Sequence, residues 1–279
     1  MGRALKEVLT TVLSADELES LYSSFDTIGD IIIIKISDAL RQKKRLIGQT
    51  ILEYLKPVKV VLMQKGPVDG EFRTRDLEHL AGENRTTTIY KEQGCSFLVD
   101  VTKAYFSPRL STERLRIANL VKPNERVLNM FAGVGAFSMV LAKAQSECKV
   151  VSIDINPEAH RFAVENARIN KLAGRVDTIL GDVREIIKSD DLGKFTRVLM
   201  PLPESASDYL DDAISVTEPS VGWIHYYTHV HSENKDKAAE KVKSDLYARL
   251  EANCEINLVK VVREVGLRWF QVVADIHLI

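Results

Sequence analysis

The chain has 279 residues, with 38 Lys and Arg, 39 Asp and Glu and a formal net charge of −1 at pH 7. This length fits one large domain, or one large and one smaller domain. The near-neutral balance excludes a polycation that binds nucleic acid through its overall field, so any RNA binding needs a local basic patch. No apolar run approaches the roughly 18 residues of a membrane span.

The first residues lack the apolar core of a signal peptide. The three cysteines are far apart and show neither a metal-binding nor a disulfide spacing. We therefore expect a cytoplasmic protein with no membrane association.

The first hundred residues alternate short helical and extended patterns. In chain order, the sequence predicts one or two short helices over 3–23 with a capping box at Ser14-Ala-Asp-Glu17, a buried strand over 29–36, a helix over 37–54, a strand over 59–63, and a hairpin over 86–101 that turns at Gln93-Gly94. This order indicates a small α+β domain, which we place at residues 1–103 and expect to contact RNA.

From residue 111 onward, strands and helices alternate regularly. A helix begins at Ser111, which we expect to cap it, and strands follow near 127–130, 149–154, 176–181, 197–202 and 222–228, with helices between them and a charged helix over 232–252. Alternation of this kind predicts an α/β domain, 104–279, with a doubly wound sheet that is mostly parallel. The closing strands, 256–265 and 269–279, are joined so tightly at Gly266 that one strand must be antiparallel.

A glycine-rich turn follows the first strand of that sheet, in Val127-Leu-Asn-Met-Phe-Ala-Gly-Val-Gly-Ala-Phe137. Gly133 and Gly135 allow the backbone to approach a ligand, and the following helix start presents unpaired N–H groups. Asp154 ends the next strand about 20 residues later, where an acid binds the ribose of a nucleotide. An ordinary strand-to-helix turn is the alternative, but the acid favours a nucleoside ligand.

This loop lacks the third glycine of the dinucleotide motif and resembles the S-adenosylmethionine loop of class I methyltransferases, whose fold is Rossmann-like. The resemblance implies that Asp154 accepts hydrogen bonds from the ribose and Asp182 from the adenine amino group. A capping role at a helix N-terminus is the alternative for each acid. The expected cofactor-binding residues in this domain are Asn129, Phe131, Gly133, Gly135, Asp154, Ile155, Asp182, Val183 and Pro201.

Charged residues are also concentrated upstream of the sheet, in 70–86 and 105–116. Alone, Arg75, Arg114 and Arg116 are explained equally well as solvated charges on helix faces and as phosphate ligands. The composition of this region does not identify a substrate.

Four motifs in order resemble the archaeal–eukaryotic tRNA (guanine-37-N1)-methyltransferase family over nearly the whole chain. They are Gly70-Glu-Phe-Arg-Thr-Arg-Asp-Leu-Glu-His-Leu-Ala-Gly-Glu-Asn-Arg-Thr86, Tyr105-Phe-Ser-Pro-Arg-Leu-Ser-Thr-Glu-Arg114, Asn129-Met-Phe-Ala-Gly-Val-Gly135 and Ile224-His-Tyr-Tyr227. The resemblance implies methyl transfer from S-adenosyl-L-methionine to N1 of the guanosine 3′ of the anticodon, with no metal.

The resemblance also implies roles for four residues. Glu113 is expected to remove the N1 proton and Arg73 to donate to O6, while Tyr105 and Arg109 flank the pocket and join the cofactor-binding set. A surface salt bridge with a neighbouring arginine is the alternative for Glu113. The expected partner is the anticodon stem-loop of tRNA, with the target base pulled out of its stack, and we expect a monomer.

Three departures from the family pattern keep alternatives open. Asn129 stands where the family usually has Asp, and Pro201 replaces the asparagine of an Asn-Leu-Pro run that orients the target base. The extra N-terminal domain of many archaeal members is not expected here, so contacts with the anticodon arm would have to suffice. The alternatives are a methyltransferase acting on the wyosine-type tricyclic base, an aminocarboxypropyl transferase, and a non-catalytic RNA-binding relative.

Overall fold

The computed structural model describes residues 2–22, 25–68, 70–189, 192–250 and 254–279. The chain divides into two compact units: unit 1 comprises Met1–Glu92 and Ser96–Arg109, and unit 2 comprises Gln93–Cys95 and Leu110–Ile279. The sequence-based domain boundary after residue 103 stays a prediction. The last two residues of the helix predicted over 232–252 lie outside the described residues.

The first 110 residues form a four-stranded sheet, a hairpin and short helices. The elements are α1 (Gly2–Leu9), α2 (Ala15–Glu19), β1 (Phe25–Ile28), β2 (Ile31–Ile34), a 3-10 helix (Asp38–Lys43), α3 (Lys44–Tyr54), β3 (Val60–Gln64), β4 (Leu77–Gly82), β5 (Thr87–Glu92), β6 (Cys95–Asp100) and a second 3-10 helix (Pro108–Leu110). The sheet has the order β1-β2-β3-β4. Strands β2 and β3 are parallel, and α3 makes the crossover between them.

The core of unit 1 lies between this sheet and helices α1 and α3. Ile32 and Ile34 of β2 pack with Ile47 and Ile51 of α3. The four isoleucines of β2 are all buried, as expected for a central strand of a covered sheet. The capping box at Ser14 is confirmed.

Two strands of unit 1 were missed. The strand predicted over 29–36 is the second half of a hairpin whose first strand is β1, and β4 was read only as part of a charged motif. Both missed strands lie at the edges of the sheet, and polar pairs interrupt their apolar residues, Asp26-Thr27 in β1 and Glu78-His79 in β4. The hairpin turn at Gln93-Gly94 is confirmed: both residues have positive φ, 46° and 71°, as a type I′ turn requires.

The rest of the chain alternates strand and helix. Its elements are α4 (Ser111–Leu120), β7 (Arg126–Asn129), α5 (Ala136–Ala144), β8 (Lys149–Asp154), α6 (Pro157–Ile169), β9 (Val176–Leu180), α7 (Val183–Lys188), β10 (Arg197–Met200), a 3-10 helix (Ala206–Tyr209), α8 (Leu210–Val216), β11 (Trp223–His231), α9 (Lys235–Arg249), β12 (Cys254–Gly266) and β13 (Trp269–Leu278).

These strands form one seven-stranded sheet with the order β12-β13-β11-β10-β7-β8-β9. Strand β13 is antiparallel to both β11 and β12, and the other described pairs of neighbours in this sheet are parallel, so the predicted α/β fold with one antiparallel strand is confirmed. One local prediction was wrong: Leu110, not Ser111, occupies the N-cap of α4, and no side chain caps that helix. No helix within the described ranges combines the length and apolar character needed to cross a bilayer.

Candidate functional site

The carboxyl ends of four parallel strands of unit 2 meet at one edge of the sheet. Strands β7, β8, β9 and β10 end at Asn129, Asp154, Leu180 and Met200. Ligands of doubly wound sheets bind at this edge. The sequence-predicted residues of unit 2 follow or end these strands: Asn129, Phe131, Gly133, Gly135, Asp154, Ile155, Asp182, Val183 and Pro201.

The glycine loop after β7 is fixed by backbone hydrogen bonds to its neighbours. Met130 N–H donates to the carbonyl of Leu199 at 3.0 Å, and Ala132 N–H donates to the carbonyl of Ile153 at 2.9 Å. Gly133 and Gly135 have φ of 56° and 80°, in the left-handed region that favours glycine. The loop is therefore preorganised, and Gly135 directly precedes helix α5.

We expect Gly135→Ala to lower the free energy of unfolding by about 1–2 kcal/mol, the cost of the left-handed conformation for a residue with a Cβ. The new Cβ would also lie 2.9 Å from Cε of Met139. The measurement is equilibrium urea unfolding. Gly174→Ala is the matched control, because a Cβ there meets nothing within 4 Å and φ is not positive. Equal effects of the two substitutions would contradict the assigned strain.

Asp154 is the best-placed ligand for a nucleoside. Its Oδ2 accepts a hydrogen bond from Gly133 N–H at 2.6 Å, and its Oδ1 accepts one from Asn156 N–H at 2.9 Å. Partial burial raises the pKa of Asp154, although these two N–H groups oppose that rise. An ionised carboxylate has about four lone-pair sites, so two remain for a vicinal diol. Asp154 is not a helix cap, because Asn156 caps α6.

Asp182 does cap a helix. Its Oδ1 accepts from Arg184 N–H at 2.7 Å and from Glu185 N–H at 3.4 Å, at the start of α7. This capping role was the alternative interpretation, and it leaves Oδ2 for other donors. The adenine role of Asp182 stays a prediction.

Asn129 and Pro201, the two substituted positions among the three departures from the family pattern, differ in environment. Asn129 is fully buried and donates to Ser138 Oγ at 3.0 Å, and its Oδ1 accepts no hydrogen bond from any described residue. Pro201 is half-buried directly after β10. It cannot donate a backbone hydrogen bond.

Apolar side chains accompany the acids at this edge of the sheet. Phe131 is half-buried with its ring edge-on to Tyr209, at a centroid distance of 5.1 Å. Ile155 is exposed and Val183 is buried in the core. A diol acceptor, a second acid and apolar groups together fit an adenosine-type ligand.

The remaining predicted residues of the motif region lie in unit 1. The guanidinium of Arg73 lies over the ring of Tyr105, 5.0 Å from its centroid. Arg73 has a φ of 53°, which is uncommon for a residue other than glycine. Arg109 donates from Nε to Oδ1 of Asp26 at 2.8 Å, and Arg75 pairs with the same carboxylate at 3.0 Å. Arg75 is therefore a buried ion-pair partner and not a solvated charge on a helix.

Glu113 lies on α4 in unit 2 and is only 4% exposed. Its Oε1 accepts from Tyr227 Oη at 3.0 Å and from Arg116 Nη2 at 2.7 Å, and its Oε2 lies 3.2 Å from Lys260 Nζ. The alternative was a surface salt bridge to a neighbouring arginine. The salt bridge to Arg116 is present, but it is not on the surface, because the carboxylate of Glu113 is buried. Burial raises the pKa of Tyr227 well above its usual range, so its hydroxyl keeps the proton that it donates to Glu113.

No sequence-based prediction was made for the residues that hold Arg116 against Glu113. Asp275 binds Arg116, and His225 binds Asp275. One signal was available: Asp275 interrupts the apolar run Val272-Val-Ala-Asp-Ile276, and a buried acid needs a partner. The identity of that partner requires the register of the sheet.

Two family models match this chain. The model described as the TRM5/TYW2 methyltransferase domain matches residues 88–259, and the model described as the TYW2 N-terminal domain matches residues 5–86.

Characterised relatives and solved structures are also similar. The chain is 39% identical over 274 residues to the tRNA (guanine(37)-N(1))-methyltransferase Trm5b of Methanocaldococcus jannaschii. This alignment covers 98% of this chain and 76% of the relative. It is 33% identical to the tRNA 4-demethylwyosine(37)-methyltransferase Taw21 of Saccharolobus solfataricus, covering 96% of this chain and 98% of the relative. A solved complex of aTrm5 with tRNALeu matches with a TM-score of 0.86 at 37% identity, covering 99% of this chain and 78% of that one.

Proposed function

We propose, on the premise that the chain belongs to the TRM5/TYW2 methyltransferase family, that it methylates N1 of guanosine 37 of tRNA. The observation that supports this activity most strongly is the buried carboxylate of Glu113 in the same compact unit as the glycine loop and Asp154. The 39% identity to a tRNA (guanine(37)-N(1))-methyltransferase supports the target nucleotide.

The cofactor of the proposed reaction is S-adenosyl-L-methionine, which supplies a methyl group activated by its sulfonium. Asp154 accepts from the ribose hydroxyls, and Asp182 uses Oδ2 for the adenine amino group. Phe131, Ile155 and Val183 enclose the adenosine. The rigid loop at Gly133 and Gly135 lets the backbone approach closely, and Asn129, Pro201, Tyr105 and Arg109 complete the proposed set.

Glu113 is the proposed general base. Neutral guanine has a proton on N1, which must leave as the new N–CH₃ bond forms. Both carboxylate oxygens of Glu113 are held: Oε1 accepts from Tyr227 and from Nη2 of Arg116, and Oε2 accepts from Nε of Arg116 at 3.0 Å and lies 3.2 Å from Lys260 Nζ. We assign proton removal to Oε2, because Lys260 is the most exposed of these partners. The negative charge that spreads to O6 needs a donor, and we assign that role to Arg73.

The proposed partner is the anticodon stem-loop of tRNA, which one copy of the chain binds as a monomer. N1 of guanine is on the Watson–Crick edge, so the base has to leave its stack to be methylated. The net charge of −1 requires local basic groups for this contact.

A second candidate substrate is the tricyclic wyosine precursor at the same nucleotide. Pro201 favours it, because the side-chain amide that orients guanine in the family is absent here. The 33% identity that extends over 98% of the length of a tRNA 4-demethylwyosine(37)-methyltransferase also favours it.

The test is incubation with S-adenosylmethionine labelled in the methyl group and two tRNA transcripts, one with guanosine and one with adenosine at position 37, followed by digestion to nucleosides. We expect label in 1-methylguanosine from the guanosine transcript alone. Label only on native tRNA that contains the tricyclic precursor would establish the second candidate. Transfer only from cofactor labelled in the aminocarboxypropyl group would establish the transferase alternative, and binding without any transfer would establish a non-catalytic protein.

A further inference from the structure

A continuous chain of polar side chains, buried except for the partly buried Arg116, leads away from Glu113 through unit 2. Arg116 donates from Nη1 to Oδ2 of Asp275 at 2.6 Å, and Asp275 Oδ1 lies 2.6 Å from His225 Nδ1. Arg197 Nη1 lies 2.7 Å from His225 Nε2, and its Nε donates to Glu125 at 2.6 Å. Acidic and basic side chains alternate on each side of His225, so we call this set the charge chain. Its members, in order of contact, are Glu113, Arg116, Asp275, His225, Arg197 and Glu125.

Arg197 fixes the protonation state of His225. An arginine only donates, so Nε2 of His225 must accept from Arg197, and Nδ1 must carry the ring proton. His225 is fully buried, and burial lowers its pKa despite the neighbouring Asp275. The ring is therefore neutral and donates a single hydrogen bond to Asp275, which keeps its negative charge.

Asp275 in turn orients Arg116. Burial would raise the pKa of Asp275, but the hydrogen bond from His225 and the guanidinium of Arg116 hold it well below its usual range. Its two oxygens accept from Nη1 and Nη2 of Arg116, which leaves Nε and the second hydrogen of Nη2 for Glu113. A planar guanidinium held on one side by a carboxylate presents a fixed set of donors on the other.

The backbone fixes the positions of these groups. His225 and Asp275 are directly paired Cα partners in the antiparallel pairing of β11 and β13. Tyr227, which also holds Glu113, follows two residues after His225 and lies on the same face of β11. The Glu113 carboxylate is thus connected to the sheet at two points, directly through Tyr227 and through the charge chain at Asp275.

A buried set of charges is a weak source of stability, because well-packed apolar residues of similar volume are often as good or better. The effect of these contacts on the orientation of Arg116 is more specific than their effect on stability. Without Asp275, Arg116 would be free to turn its whole guanidinium toward Glu113 and to pull the carboxylate with it. With Asp275, the position of Arg116 is set by the sheet.

We propose that Asp275, held by His225, is a positioning residue that acts through Arg116 to fix the carboxylate of Glu113 for proton removal. This inference rests on the proposed function of Glu113 as the base. Asp275 itself touches neither the substrate nor the cofactor in this proposal, so its effect passes entirely through Glu113.

The test compares single-turnover methyl transfer by the full chain carrying Asp275→Asn, Glu113→Gln or both. We expect Asp275→Asn alone to lower the rate tenfold to a hundredfold, the scale of a misplaced catalytic group, with the dissociation constants of cofactor and tRNA unchanged. In the Glu113→Gln background, we expect Asp275→Asn to change the rate less than twofold. Asp177→Asn, on the exposed surface of β9, is the matched control and should leave the rate unchanged.

Three outcomes would overturn the inference. If the fold-decreases in rate of the two single variants multiply in the double variant, Asp275 acts independently of Glu113. A normal rate for Asp275→Asn, with Glu113→Gln inactive, would refute the positioning role and leave the proposed base intact. A normal rate for Glu113→Gln would instead refute the base, and the positioning role with it.

A second pair of variants serves if Asp275→Asn fails to fold. His225→Asn keeps an N–H that can donate to Asp275. His225→Leu has nearly the volume of the original histidine but has no hydrogen-bond donor. We expect the Asn variant to be at least fivefold faster than the Leu variant at a temperature where circular dichroism shows both folded. Equal rates for the two would contradict a role for the His225–Asp275 hydrogen bond.

Discussion

Glu113→Gln is expected to lower the single-turnover rate of methyl transfer by a factor of about 10²–10⁴, the usual contribution of general acid–base catalysis. The amide has nearly the same shape as the carboxylate, but it cannot take the N1 proton. Its oxygen can still accept from Tyr227 and from Nη2 of Arg116, whereas its NH₂ replaces the oxygen that faces Arg116 Nε and Lys260 Nζ. The measurement is rapid-quench transfer of labelled methyl to a guanosine-37 transcript with enzyme in excess.

The control for this substitution is another glutamate paired with an arginine three residues later. Glu165 of α6 binds Arg168 as Glu113 binds Arg116, but Glu165 is half-exposed. Glu165→Gln should leave the rate unchanged. Isothermal titration should give Glu113→Gln a cofactor dissociation constant within twofold of the wild-type value. A rate within threefold of the wild type, or an equal loss of rate and cofactor affinity, would remove Glu113 from the role of base.

The sequence was sufficient for the part of the site that depends on local chain geometry. A strand, a glycine turn and a helix are adjacent in sequence, so the loop at Gly133 and the acid at Asp154 follow from one short pattern. The hydrogen bond from Gly133 N–H to Asp154 confirms that the two lie together. The antiparallel strand followed equally directly, because the connection at Gly266 is too short for a parallel crossover.

The surroundings of Glu113 could not be predicted in this way. Arg116 and Asp275 are 159 positions apart in the chain, and their contact depends on the register of β13 against β11. A shift of one residue would turn Asp275 to the other face of the sheet. Hydrophobic periodicity identifies the strands but does not give this register, so the alternative of a surface salt bridge stayed open until the fold was known.

The same limit explains the errors in unit 1. Strands β1 and β4 are edge strands, and three of the four residues of β1 are only partly buried. The apolar pattern of a strand reflects how much of the strand is buried. A strand covered on one side therefore has a weaker apolar pattern in its sequence than the continuous isoleucine run of β2.

Asp154→Ala is expected to weaken binding of S-adenosylhomocysteine roughly 10- to 150-fold, corresponding to about 1.5–3 kcal/mol for hydrogen bonds to a charged acceptor. The substitution removes the acceptor for the ribose and also leaves Gly133 N–H and Asn156 N–H without their bonds. Asp154→Asn retains one acceptor oxygen and should show an intermediate loss. Isothermal titration measures all three affinities, and Asp177→Ala on the neighbouring strand β9 should bind normally.

The two causes of this loss can be separated with a second ligand. In the wild-type protein, the 2′-deoxy analogue of S-adenosylhomocysteine should bind at least fivefold more weakly than the parent compound, because Asp154 loses one of its two donors. In Asp154→Ala that ratio should fall to about one, since no carboxylate remains to distinguish the ligands. A ratio that persists in the variant would show that Asp154 only fixes the loop at Gly133 and that another group binds the ribose.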